Sequence, residues 1–200
     1  MSEKIEQTQT AAAEKPKIFE KYKIKDIVFL AIISACALIT CAVMPLVASL
    51  QTIIFGIAQL VTSLQLSIFF AIGLMKVRKV GSIFIMAVLT GLFQLLMSPP
   101  MFFSNIVVGL VVELIGILVF RGYKSDKAVF VCVMLYNPLS LPFSVLYNYL
   151  FGREAMVAVA TRAPWITVVV TLGVIGLSAL GSWLGIKISK ELKKSGVMKK

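Results

Sequence analysis

Two hundred residues that are 59% hydrophobic and 14% charged, with a mean hydropathy of +0.96, exclude an ordinary soluble domain, which carries roughly 25% charged residues. The formal charge of +11 does not point to nucleic acid, because nearly all Lys and Arg sit at the termini and in two short loops, as orients membrane helices. The absence of His removes His metal sites, general bases and haem ligands. Cys36, Cys41 and Cys132 lie in apolar stretches as small hydrophobes, with no CxxC spacing.

Residues 1–25 are polar and lack the apolar core of a signal peptide. They are expected to form a disordered basic tail. Six apolar segments follow, at about 26–48, 52–76, 79–97, 103–121, 126–150 and 163–189, each near or above the ~20 residues that span a hydrocarbon core. The expected fold is thus an all-α integral membrane protein of six transmembrane helices over 26–189, with a basic tail at 190–200. The 52–76 segment is open to a second reading, as a shorter span with a re-entrant start.

Loop charges set the orientation. Eighteen of the twenty Lys and Arg fall in the two tails and in the second and fourth connections, leaving Arg153 and Arg162 on the other side. This split agrees with six spans and with both termini in the cytoplasm. The outward connections, at 44–51, 98–104 and 151–163, are short and almost uncharged apart from the last. A ligand site would have to be built from helix ends and these loops.

The first segment carries Ala31-Ile-Ile-Ser-Ala35, a small-xxx-small spacing that lets another helix approach closely. The second places Gln59 and Ser63 one turn apart, and the third carries Gln94 near its outer end. In the fourth, Asn105, Gly109, Glu113 and Gly116 share one helical face. Counted from residue 103, Glu113 lies roughly 15 Å deep, where a charge facing lipid costs at least about 2.5–3.5 kcal/mol. Two readings compete: a ligand or gating group, or a buried carboxylate satisfied by a neighbouring hydroxyl or amide.

The fifth segment places Asn137, Ser140, Ser144, Tyr147 and Asn148 on a continuous polar stripe, interrupted by Pro138 and Pro142. Prolines free backbone carbonyls, which are tolerated at membrane depth where they meet protein or line a cavity. The stripe reads as the wall of an outward pocket, against a kinked packing helix with Tyr147 and Tyr149 in the interfacial belt. Trp165 and Thr167 open the sixth segment beside Arg162, and Gly181-Ser-Trp-Leu-Gly185 repeats the small-residue spacing near Ser178. Trp165 also fits the belt. Arg153 and Arg162 either attract an anionic ligand, pair with Glu154, or are simply solvated.

No phosphate loop, Walker motif or nucleophile–base pair is present. The chain is expected to be no enzyme, to carry no cofactor or metal, and to draw on a partner for any active transport.

Six short spans, cytoplasmic termini and the Ala31-xxx-Ala35 motif resemble the substrate-binding S components of energy-coupling factor (ECF) transporters. The blocks Gly109-Leu-Val-Val-Glu-Leu-Ile-Gly116, Gly122-Tyr-Lys-Ser-Asp-Lys-Ala128 and Tyr147-Asn-Tyr149, with the Gly- and Lys-rich last helix, are similar to the Trep_Strep/MptD-like group of such components, over about residues 22–196. The resemblance implies capture of a vitamin or related micronutrient in an outward pocket, and docking on a membrane coupling protein that carries two ATPases. It implies docking through Ala31 and Ala35, and a pocket that includes Asn105, Tyr147, Asn148 and Trp165, with Asn137 and Glu113 below. Ser144, Gln94 and Arg162 complete the candidate site residues. A metal substrate is not implied, because the N-terminal His of metal-type members is missing. A stand-alone facilitator or channel, and a membrane scaffold, are the competing readings.

Overall fold

The computed structural model describes residues 20–40, 47, 49–95 and 99–196. Among them the chain is all-helical: α1 (Ile24–Thr40), a 3-10 turn at Ser49–Thr52, α2 (Ile57–Lys76), α3 (Ser82–Leu95), α4 (Pro99–Phe120), α5 (Asp126–Leu150), α6 (Glu154–Arg162) and α7 (Pro164–Lys194). Most of the expected N-terminal tail, much of the first outward connection and the last four residues lie outside the described residues.

Four stretches are long and apolar enough to cross a membrane: α2, residues Met101–Phe120 of α4, α5 and α7. Helix α3 is apolar but has only 14 residues, a length of about 21 Å. The helix ends have local causes. The segment expected over 52–76 divides at Gly56, whose φ of 79° suits a residue without a Cβ. A side chain there would also press on Leu141 and Val170. Helix α5 starts where the Ser125 hydroxyl accepts the Ala128 amide at 3.1 Å, an N-cap. Helix α6 occupies the connection expected as a loop over 151–163, and α7 continues through Lys194, so that 190–194 of the expected tail is helical.

Helices α2 and α5 form the centre. Helix α2 packs on α1, α3, α5 and α7, and α5 packs on α2, α4, α6 and α7. The most extensive pairing joins α2 to α7. The two run parallel, Gly173 facing Leu60, Gly181 facing Leu64 and Ser67, and Gly185 facing Ile68 and Ala71. At Gly185 an added Cβ would lie 2.6 Å from the Ile68 carbonyl, and at Gly181 it would collide with that of Leu64. Small residues permit such backbone approach, which drives helix association where lipid removes the hydrophobic incentive. The Gly181-Ser-Trp-Leu-Gly185 spacing is therefore an internal seam. The antiparallel α3–α4 pair uses the same device, with Gly109 receiving the Ala87 methyl.

Helix α1 behaves differently. It buries Leu30, Ser34 and Ala37, whereas Ala31 is only partly covered and Ala35 is exposed, beside Val28 and Ile32. The small-residue pair of α1 thus faces outward from the bundle.

The seam can be tested with a matched pair. Gly181→Val meets a backbone carbonyl that cannot step aside, whereas a Cβ at Gly176 meets nothing within 4 Å. Overpacking costs about 1–3 kcal/mol, a fall of roughly 2–12 °C in unfolding midpoint for a chain of this length. Gly181→Val should show it in detergent by tryptophan fluorescence, and Gly176→Val should not. Equal midpoints would mean that the seam does not hold α7 to α2.

Candidate functional site

At the end of the bundle opposite the Lys- and Arg-rich connections, the polar stripe of α5 faces a cavity of about 170 Å³. Cavities of about 150 Å³ hold a benzene ring, so this one has room for a single-ring molecule. Helix α5 contributes Tyr136, Asn137, Ser140, Ser144, Tyr147 and Asn148, and Arg153 follows it. Helix α2 adds Ala58, Gln59, Thr62 and Leu66, α3 adds Gln94, and α4 adds Met101, Ser104 and Asn105. Gln51, from the 3-10 turn, completes the wall.

The lining side chains fall into two sets. The first is already hydrogen-bonded within the protein, between helices or to the backbone of α5 itself. Asn105 donates from Nδ2 to the Ala87 carbonyl at 3.2 Å and to Thr90 Oγ1 at 3.0 Å. Its Oδ1 accepts the Tyr136 hydroxyl. The Nδ2 of Asn137 lies 3.2 Å from the Ser63 carbonyl, 3.2 Å from Ser67 Oγ and 3.4 Å from Ser178 Oγ, joining α5 to α2 and α7. Ser140 donates to the Asn137 carbonyl at 2.6 Å, beside Pro138, and Asn148 donates to that of Ser144 at 2.7 Å. Tyr136 and Asn137 are 2% and 4% exposed, so these two side chains close the base of the cavity.

The second set is uncommitted. The carboxamides of Gln51, Gln59 and Gln94, the Tyr147 hydroxyl and the Arg153 guanidinium have no hydrogen-bond partner among the described residues. Near the rim the Tyr147 ring stacks on Phe151 at 4.3 Å. Arg153 is the one charged side chain among the lining residues, and no carboxylate lines the cavity.

Six of the nine expected site residues therefore meet at one place: Gln94, Asn105, Asn137, Ser144, Tyr147 and Asn148. Trp165, 69% exposed on the first turn of α7, does not line it, nor does Arg162, exposed in the last turn of α6. Tyr136 was missed, although it stands one turn before Ser140 and two before Ser144 on the same face. Gln51, Thr62, Met101 and Ser104 carry no spacing that would have singled them out.

Glu113 lies elsewhere. Helix α4 begins at Pro99, so Glu113 is about 21 Å along it, beside Gly81 of the basic second connection. Its carboxylate accepts the Gly81 amide at 2.6 Å and the Phe84 amide at 3.3 Å. These are unpaired donors at the start of α3, where an anion is favoured by the helix dipole. Of the two readings of Glu113, its hydrogen bonds match the satisfied carboxylate, with backbone amides in place of the expected hydroxyl or side-chain amide. It is not among the lining residues.

Further contacts fasten the same corner. Tyr22 donates to the Val80 carbonyl at 2.8 Å and lies 3.0 Å from Ser82 Oγ. Burial, with Glu113 and Asp26 adding to it, pushes its phenol up to about 12, so it stays a donor. Lys79 bonds Asp26 and the Lys21 carbonyl, both at 2.7 Å. Tyr123, buried between α4 and α5, packs its hydroxyl against Gly116. Burial, and then the nearby Glu113, raise its pKa. Asp126 pairs with Arg78 at 2.5 Å and Lys190 at 2.8 Å. Among the described residues no group of three or more His, Cys, Asp or Glu could hold a metal ion.

The outside of the bundle is apolar: Leu118 is 78% exposed, Val119 66%, and Leu172 62%. Such a surface is stable against lipid and not against water, and with four helices long and apolar enough to span it defines an all-helical integral membrane protein. The chain belongs to the Trep_Strep family, described as hypothetical bacterial integral membrane proteins, whose family model matches residues 24–194. No curated protein and no solved structure matches it.

The role of Glu113 has a direct check. Glu113→Leu strips the Gly81 and Phe84 amides of their acceptor and should cost about 1–3 kcal/mol, read as a lower unfolding midpoint in detergent. Glu113→Gln keeps one carbonyl oxygen for Gly81 and should lose less. A Leu variant as stable as the parent would show that the cap is dispensable.

Proposed function

We propose that this protein is the substrate-binding S component of an ECF-type ABC importer. In this reading it captures a vitamin or related micronutrient from outside the cell and delivers it through a coupling protein with two ATPase subunits. The observation that carries the reading is the cavity of about 170 Å³, polar at membrane depth and closed at its base by Tyr136 and Asn137. Polar side chains in that setting mark substrate sites. A closed base favours a binder over a facilitator or channel, which needs a continuous path.

The proposed setting is the bacterial plasma membrane, crossed six times, with α1 and α3 supplying the two shorter crossings. The distribution of Lys and Arg supports cytoplasmic termini, which directs the cavity outward. Having no Walker motif of its own, the chain would rely on the partner's ATPases. The outward face of Ala31 and Ala35 supports α1 as the docking helix, since small residues that are not used inside the bundle remain available to another helix.

Affinity purification of the intact chain from its own membrane tests this. The coupling protein and both ATPases should co-purify, and mass spectrometry should find a bound small molecule. A chain that instead moves solute in vesicles without them is a facilitator. Ala31→Trp and Ala35→Trp should abolish association while retaining the bound molecule. Loss of the molecule in both would place these alanines in the fold rather than at a docking surface.

A further inference from the structure

Resting on the reading of this cavity as the ligand site, we infer that its ligand is a single-ring monocarboxylate, recognised by Arg153 at the rim and by glutamine carboxamides along the wall. Binding energy comes from lining groups that folding has left unsatisfied, and these are unevenly distributed. Asn105, Tyr136 and the Asn137 amide nitrogen are used within the protein. The carboxamides of Gln51, Gln59 and Gln94, the Tyr147 hydroxyl and the Arg153 guanidinium have no hydrogen-bond partner among the described residues.

Charge narrows the class. Arg153 makes no ion pair with the adjacent Glu154, whereas Asp26, Asp126 and Glu191 each hold a Lys or Arg. The lining has no carboxylate to receive a cation. A guanidinium presents a fork of donors that matches a carboxylate in two parallel hydrogen bonds. One guanidinium without a supporting Lys neutralises a single charge, so a dianionic phosphate would remain uncompensated.

Shape and polarity supply the remainder. The volume of about 170 Å³ suits one ring. Tyr147, which lines the cavity, stacks on Phe151 and offers an aromatic surface to a flat ring. Each glutamine offers both donors and an acceptor, so Gln59 on α2 and Gln94 on α3 can satisfy ring nitrogens or exocyclic oxygens from two different helices.

The test uses the full-length chain in detergent and a panel of one-ring probes: benzoate, nicotinate and pyrimidine-5-carboxylate, each beside its carboxamide, with benzylamine and phenyl phosphate. At least one carboxylate should bind tenfold or more tightly than its carboxamide. Arg153→Gln should remove that preference while leaving carboxamide affinity unchanged, and Arg153→Lys should restore part of it. Gln94→Ala should weaken carboxylate and carboxamide alike. The inference is overturned if carboxamides bind as well as carboxylates, if the amine or the phosphate binds best, or if no probe binds. Association with the coupling protein is scored separately, so a chain that docks but shows no carboxylate preference loses this inference and keeps the importer reading.

Discussion

A polar group inside this bundle is driven to find its partner within the protein, because the surface around it is Leu, Ile and Val and the solvent beyond is hydrocarbon. Asn105, Glu113 and Asn137 do so, while the buried Ser34 and Tyr123 hydroxyls have no hydrogen-bond partner among the described residues. Leaving one unpaired costs several times what an exposed hydrogen bond contributes in water. That constraint explains where the polar residues stand. Asn137 reaches three oxygens on two other helices, Asn105 bridges α3 and Tyr136, and Glu113 closes the open end of α3. Each removes its own desolvation penalty by tying together helices that lipid would otherwise allow to drift. The glycine seam between α2 and α7 complements these ties, because backbones that nearly touch exchange many weak contacts.

Against that background the unpaired groups of the cavity stand apart. The same helices that satisfy Asn105 and Asn137 at the base leave Gln59, Gln94 and Arg153 without partners among the described residues nearer the rim. Helix α5, whose two prolines cost it backbone bonds, ties its neighbours through Tyr136 and Asn137 at the base, while the Tyr147 hydroxyl nearer the rim has no partner among the described residues. The base serves the fold, and the rim retains hydrogen-bonding capacity for something else.

Much of this was legible in the sequence. The membrane class, the polar face of α5 and its convergence with Asn105 and Gln94 follow from hydropathy and from the 3.6-residue period, which physical helices obey wherever they pack. The residues that escaped did so for definite reasons. Trp165 begins a helix at the cavity end, but its orientation depends on the bend after α6, which sequence does not encode periodically. Glu113 lies further along its helix than a count from residue 103 gives, because α4 starts four residues earlier, at Pro99, where proline favours a first turn. Its partners are main-chain amides of another helix, and no side-chain pattern announces those. Gln51 reaches the cavity only because Gly56 turns the chain before α2.

The unequal lengths of the helices also have a consequence for the surrounding lipid. Helix α3, about 21 Å long, packs on α1, α2 and α4, whereas the 31-residue α7 packs on α2, α5 and α6. Of those 31 residues only the part before Lys187, about 34 Å, is apolar, close to the ~30 Å of a hydrocarbon core. The last two turns, with Lys187, Lys190, Lys193 and Lys194, extend past that apolar length. A helix that carries its charge beyond its apolar length resists sliding deeper into lipid, because each ammonium group would have to leave water.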